Sequence, residues 1–252
     1  RIVAVGNLHG DLESALSVLR MAHVIDSDGK WAGGSNTVLV QTGDIIDYGP
    51  DTKELLMLFP RLVQEANRAG GRVIQLLGNH EVMNMIGDLR YVRERPDEFL
   101  SPESRTTTFS STGYLGSRLF NLPLVHRVGD TIFAHGSITE TWAQMGIQTI
   151  NSQAKYELGI LSKNPGSASS AMYPLLLGKS SPVRHVGYAE SAQDAACKVV
   201  RRILDIVGAK RLVTSSTLMF RGKIRARCDG ALTSINTGIS RFVWERPSAL
   251  EI

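Results

Sequence analysis

Apolar residues come first in short unbroken runs: Ile2-Val3-Ala4-Val5, then Val38-Leu39-Val40, then Val73-Ile74 continuing through Gln75 to Leu76-Leu77. Each run is too short for a helix and holds β-branched residues, which predicts strands buried on both faces. Between the runs the spacing becomes helical. Leu12, Ala15, Leu16 and Leu19 predict a helix with Asp11 as its N-cap, and Leu55, Leu56, Phe59, Leu62, Val63 and Ala66 predict a second, opened by a capping box of Asp51 and Glu54. Pro60 is expected to kink or interrupt that second helix and Gly70-Gly71 to end it. Strand, helix, strand, helix, strand implies parallel strands with right-handed crossovers.

The pattern loosens from Met83 to Asn121 into polar, Pro-containing sequence, including Arg93-Glu94-Arg95-Pro96 and Thr106-Thr107-Thr108, and predicts an excursion over the strand ends. Val125–Val128 and Thr131–Ala134 flank Gly129-Asp130, a two-residue hairpin signal. Thr139 to Leu158 reads as mostly helical, and Asn164 to Ser181, rich in Ser, Gly and Pro, as a cap or loop. Ala192, Ala195, Ala196, Val199, Val200, Ile203 and Leu204 form one apolar helical face opposite Lys198, Arg201 and Arg202. A strand at Arg211–Thr214 follows, then a hairpin turning at Asp229-Gly230. Lys223, Arg225 and Arg227 alternate along it and are expected on one face, either as a solvated outer surface or as a docking patch for an acidic protein or RNA. The class is α/β, and 252 residues fit one domain spanning 1–252, with excursions near 83–123 and 159–190.

Composition narrows the picture. A hydrophobic share of 42% and a charged share of 21% are ordinary for a soluble globular chain, and no apolar run reaches the roughly 20 residues of a membrane span, so membrane insertion is not expected. The net charge of +4 falls far short of the dense basic runs of dedicated nucleic-acid binders. Cys197 and Cys228, without CxxC spacing, read as two reduced core thiols, which points to an intracellular compartment. The sequence starts on strand-like Arg1-Ile2-Val3, so a targeting peptide is expected to have been removed or to lie outside it.

The candidate chemistry sits where the strands finish: Gly6-Asn7-Leu8-His9-Gly10-Asp11, Gly43-Asp44-Ile45-Ile46-Asp47, Gly78-Asn79-His80-Glu81 and His135-Gly136-Ser137. Oxygen and imidazole donors converging from separate strands suit hard divalent cations. In this order the set resembles the phosphoprotein phosphatases of the calcineurin-like metallophosphoesterase superfamily, most of all the Shewanella-like branch, whose pattern runs GDxHG, GDxxDRG, GNHE, HGG and GHT. The resemblance covers the whole chain and implies a central β-sandwich flanked by helices. The departures are specific. Asn7 stands where a metal-binding Asp is expected, Tyr48 where a phosphate-binding Arg is expected, Ser137 for the last Gly of HGG, and Ser215-Ser216-Thr217 for GHT, with Ser216 in place of a metal-binding His. In Arg184-His185-Val186-Gly187-Tyr188, Val186 takes the place of the second phosphate-binding Arg.

Carried over residue by residue, the resemblance gives one metal site of Asn7, His9 and Asp44, and a second of Asp44, Asn79 and His135 with Ser216 at the fourth ligand position. Two dications about 4 Å apart repel by roughly 17 kcal/mol at an effective dielectric of about 20, so losing one carboxylate matters. His80 with Asp47 would form the acid pair that protonates the leaving oxygen. These three residues of the GNHE loop, Asn79, His80 and Glu81, could equally survive only to hold the strand ends together. His23 and His126 read as surface or partly packed residues, and His185 is a minor candidate for phosphate contact. The expected function is a catalytically inactive or severely impaired phosphatase-like protein that acts as a structural or binding subunit with protein partners and no bound cofactor. The alternatives are an active phosphoesterase holding one divalent ion (Mn, Fe, Zn or Mg) and an RNA-associated subunit.

Overall fold

A computed structural model of the chain describes residues 1–93, 98–163 and 169–252. The expected strands form first: β1 (Ile2–Val5), β2 (Val38–Gln41) and β3 (Arg72–Gln75), with α1 (Leu12–Met21) and α2 (Thr52–Arg68) as the crossovers between them. Neighbours in this set pair in parallel, with Val3 opposite Leu39 and Leu39 opposite Val73. β9 (Leu250–Glu251) closes the sheet antiparallel to β1, giving the order β3-β2-β1-β9.

The excursion holds α3 (Asn79–Met85), α4 (Pro102–Phe109) and α5 (Gly116–Leu119), while residues 94–97 of the Arg93-Glu94-Arg95-Pro96 stretch lie outside the described residues. Next come β4 (Val125–Val128) and β5 (Thr131–Ala134), joined through Gly129-Asp130 in the predicted hairpin register. The predicted long helix is two, α6 (Glu140–Met145) and α7 (Ile147–Leu161), broken at Gly146, whose φ of 84° a helix cannot absorb. Of the Ser/Gly/Pro-rich segment, residues 164–168 lie outside the described residues, and the remainder carries α8 (Pro174–Leu177). After α9 (Gly187–Glu190) and α10 (Gln193–Val207), the chain lays down β6 (Arg211–Thr214), β7 (Arg225–Arg227) and β8 (Leu232–Ser234). The second sheet runs β4-β5-β6-β8-β7.

Period-two alternation explains how the sheets pack. Ala4, Val40 and Ile74 point one way and meet Phe133 and Val213 of the second sheet, with Ile235 just after β8, in a core between the two. Val3, Val5 and Leu39 point the other way, onto Ala15, Val18 and Leu19 of α1 and Leu55, Phe59 and Leu62 of α2. Both faces being covered is why these strands are apolar almost throughout, each fully buried Leu, Val or Phe contributing about 1.5–3 kcal/mol.

Local signals held unevenly. Asp11 caps α1 as expected, accepting from Ser14 N. Asp51 sits at the start of α2 without capping it; its Oδ2 instead accepts from Leu12 N at 2.9 Å, while Glu98 Oε1 takes the Lys53 N–H of α2 at 2.6 Å. The two carboxylates thus exchange local capping for contacts across the fold. Pro60 lies inside α2 without ending it, because a missing N–H removes one ladder bond while the apolar face remains buried.

Two expectations are corrected. Cys197 and Cys228 are not reduced thiols but a disulfide that pins α10 to the turn between β7 and β8, and the inference of a reducing compartment falls with it. The spacing of 31 residues concealed the pair, since only the packing of α10 against the hairpin brings the sulfurs together. Closing a loop of that length constrains the unfolded chain by about 3–4 kcal/mol. The double variant Cys197→Ala/Cys228→Ala is therefore expected to melt on the order of 10 °C lower, read by thermal denaturation with and without reductant.

The second correction concerns the basic strand. Lys223 and Arg225 are exposed, but Arg227 turns inward and donates to the carbonyls of Tyr188, Ala189 and Ser191, anchoring the segment around α9. Arg227 keeps its i+2 spacing from Arg225 in β7, but the carbonyls around α9 cover it while Lys223 and Arg225 stay open, so the expected exposed face of three cations does not form.

Candidate active site

The ends of the parallel strands converge. β1 runs into Asn7 and His9, β2 into Asp44, β3 into Asn79, β5 into His135 and β6 into Ser215-Ser216. The loops after β2 and β3 approach so closely that a Cβ on Gly43 would lie 2.4 Å from Gly78 N, and one on Gly78 2.2 Å from Asp44 Oδ1. Glu81 clasps them: its carboxylate accepts from Asp44 N, Ile45 N and Gly78 N, each at 2.8 Å. Burial, with the nearby Asp44 charge, pushes the Glu81 carboxyl upward. His9, Asp44, Asp47 and Tyr48 all have left-handed backbone, φ between 48° and 69°, a strain of about 1 kcal/mol or more each that clusters at functional loops.

Asp47 and His80 meet as expected, His80 Nδ1 donating to Asp47 Oδ2 at 2.7 Å. Two supports went unseen in the sequence. Asn84 Nδ2 donates to both Asp47 oxygens at 3.0 and 3.1 Å, and Arg105 donates through Nη2 to Asp47 Oδ1 at 2.8 Å and through Nε to Asn84 Oδ1 at 2.7 Å. Asn84 was within reach of inspection, four residues after His80 on one helix face; Arg105 comes from α4 and leaves no local trace. Burial alone would lower the His80 pKa, but Asp44 and the hydrogen-bonded Asp47 lift it to about 9. The ring is therefore biased toward its protonated form, with Nδ1 seated on Asp47. His9 is the opposite case: burial and the neighbouring His80 bring it down to about 4, leaving a neutral imidazole.

Asp44 is the hub. Burial would raise its carboxyl, yet His135 and His80 hold it well below the usual range. Its Oδ2 lies 3.1 Å from His135 Nε2, which lies 3.1 Å from Asn79 Oδ1, while His135 Nδ1 is fixed on the Thr42 carbonyl at 2.9 Å. His9, Asp44 and His80 also bring one donor atom each within 4.8 Å of one another. His80 gives its Nδ1 to Asp47, and around Asp44 the further donors for a cation are Asn79, His135 and His9, with the buried and unpartnered Asn7 Oδ1 beside them. That set fits one divalent cation, which when bound would polarise a phosphoryl oxygen.

Fewer donors remain for a second ion. Asn7 turns Nδ2 toward Asp44 Oδ2 at 2.9 Å and His9 Nε2 at 3.3 Å, so a neutral amide donor faces the atoms that a second ion would need. Ser216 Oγ reaches away to the His185 carbonyl at 3.4 Å.

A cleft of about 340 Å³ opens over these groups, lined by His9, Tyr48, His80, Tyr91 and Arg93 among others. Tyr48 faces into it edge-on to His9, with ring centroids 4.7 Å apart. Val186 lies at the start of α9 and is not among the lining residues. The His185 ring tilts against Tyr188 with a buried, unpartnered Nδ1, its pKa lowered by burial. His23 is exposed and His126 half-buried on β4, and neither lines the cleft.

Two facing mixed sheets with His, Asn and Asp gathered at the strand ends define a phosphoesterase scaffold of the metal-dependent kind. Residues 1–213 match the family model of the calcineurin-like phosphoesterases, and the chain belongs to that family. Its relatives include Shewanella-like protein phosphatase 2 of Arabidopsis thaliana, 29% identical over 100% of this chain and 75% of that one. Shewanella-like protein phosphatase 1 of Plasmodium berghei is 31% identical, over 96% of this chain and 68% of that one. Among solved structures, a mutant cold-active protein tyrosine phosphatase superposes with a TM-score of 0.83 at 26% identity, covering 94% of this chain and 71% of that one. The family relies on divalent metals, and no helix among the described residues is long and apolar enough to cross a membrane.

Proposed function

We propose that this chain is a phosphatase-fold protein whose phosphoester hydrolysis is severely impaired and which works by binding, as a subunit of an assembly with protein partners. The observation that carries this reading is the Asn7 amide, whose Nδ2 satisfies Asp44 and His9 with neutral hydrogen bonds where the resemblance calls for an anionic ligand. The missing guanidiniums at Tyr48 and Val186 add to it, since each lost transition-state donor of this kind costs about 10²–10³ in turnover.

A second reading has its own support. Asp44, Asn79 and His135 still converge and the His80–Asp47 pair is fully braced, which favours slow hydrolysis of a phosphorylated protein side chain at a single-ion site, in keeping with the phosphatase relatives. Metal analysis of the purified protein, paired with phosphate release from phosphopeptides or p-nitrophenyl phosphate in added Mn²⁺, separates the two. The first reading expects at most one ion per chain and turnover several decades below an active relative. Two ions per chain with ordinary turnover would overturn it, and one ion with steady measurable turnover would favour the second.

A further inference from the structure

The cleft has no guanidinium at position 48, yet one reaches the same place from elsewhere. Arg93 lies in the segment leaving α3, and its Cζ sits 5.6 Å from the centroid of the Tyr48 ring. Tyr48 is aimed into the cleft by left-handed backbone at Asp47 and Tyr48, φ 69° and 62°. It stands edge-on to His80 at 5.3 Å between centroids, and Tyr91 tilts over His80 at 4.9 Å. Tyr91 meets Tyr48 at 6.2 Å, so the two tyrosines wall the cleft on the side from which Arg93 enters.

We propose that this cleft binds a phosphomonoester dianion and that Arg93, laid on the face of Tyr48, supplies the guanidinium grip that position 48 has lost. An aromatic face holds a guanidinium by charge–quadrupole attraction while leaving its N–H fork free to bind oxygen. Among the described residues no carboxylate forms an ion pair with Arg93, which is exposed. Asp44 is the anion that would oppose such a ligand, but its oxygens are already engaged by Asn7 Nδ2, His80 N and His135. His80 lines the same cleft with its Nδ1 held by Asp47, so its ring faces the space that the phosphate would enter. Sequence comparison by position cannot find this replacement, because the cation returns in space from a residue 45 positions later (93 against 48).

The inference rests on reading the cleft as a phosphate-binding pocket with impaired chemistry. It is tested by titrating inorganic phosphate and free phosphotyrosine into the full chain, followed by ³¹P NMR and calorimetry. Charge-assisted forks of this kind predict that Arg93→Ala weakens phosphate binding by about tenfold or more, with Arg93→Lys intermediate. Tyr48→Phe keeps the aromatic face and most of the affinity, whereas Tyr48→Leu falls toward Arg93→Ala; a merely structural role for Tyr48 would not sort the variants that way. Arg93 is exposed, so Arg93→Ala is expected to melt with the parent protein. Unchanged phosphate affinity in Arg93→Ala overturns the inference, and so does a parent protein that binds no phosphate, while either outcome leaves the expectation of impaired turnover standing. Ordinary turnover in the parent would instead remove that expectation while leaving the grip of Arg93 to be judged by the binding data.

Discussion

Restoring the four departed positions together, Asn7→Asp, Tyr48→Arg, Val186→Arg and Ser216→His, is expected to raise p-nitrophenyl phosphate hydrolysis by several orders of magnitude and to bring metal content toward two ions per chain. The expectation follows from what remains. Asp44, Asn79, His135 and His9 already present their donors to one another, and His80 is seated on Asp47 with Asn84 and Arg105 behind it. What is absent is one carboxylate, one imidazole and two guanidiniums, the last two worth about 10²–10³ each in turnover. Asn7→Asp alone is expected to improve metal retention and little else, because an ion without a grip on phosphate does not fix the reacting group. Should the fourfold variant fold, load two ions and stay inert, the missing activity is not located at these positions.

Truncating Glu81 is expected to produce the largest loss of stability of any single change at the site. Its carboxylate takes three backbone N–H groups from the loops after β2 and β3, all buried. Glu81→Ala strands them, at about 1–3 kcal/mol for each unsatisfied donor, so a total near 3–5 kcal/mol after partial relaxation is expected. Glu81→Gln keeps one accepting oxygen and turns an NH₂ against a backbone N–H, so it should fall in between. Urea denaturation reads both: the midpoint drops while the slope is kept. A shift under about 1 kcal/mol in Glu81→Ala would mean that the loops are held by something else.

Much of this was legible in the residue order, and the failures share a cause. The strands β1, β2 and β3 were visible as apolar runs because both of their faces are covered, and α1 because Asp11 caps it locally. Asp51 was misread as a cap because Glu98, from the excursion, occupies that end of α2 and frees Asp51 to hold α1. The cystine, Arg105 and the inward turn of Arg227 all depend on partners far away along the chain. β9 has two residues, too few to carry a period, and exists because β1 offers it an edge. Among the site residues, those at strand ends were found because the resemblance fixes their order. Those that brace them from helices, Asn84 and Arg105, belong to no motif quoted for the family and had to be seen in place.

Glu81, Asp47, Arg105 and the Gly43–Gly78 approach knit the strand ends together through protein atoms alone. Positions 48, 186 and 216 have no part in that stitching. A lineage carrying such a scaffold can therefore surrender catalysis one codon at a time and still inherit an intact surface. Upkeep of the shape and upkeep of the chemistry thus rest on separate residues, and selection can act on either without the other.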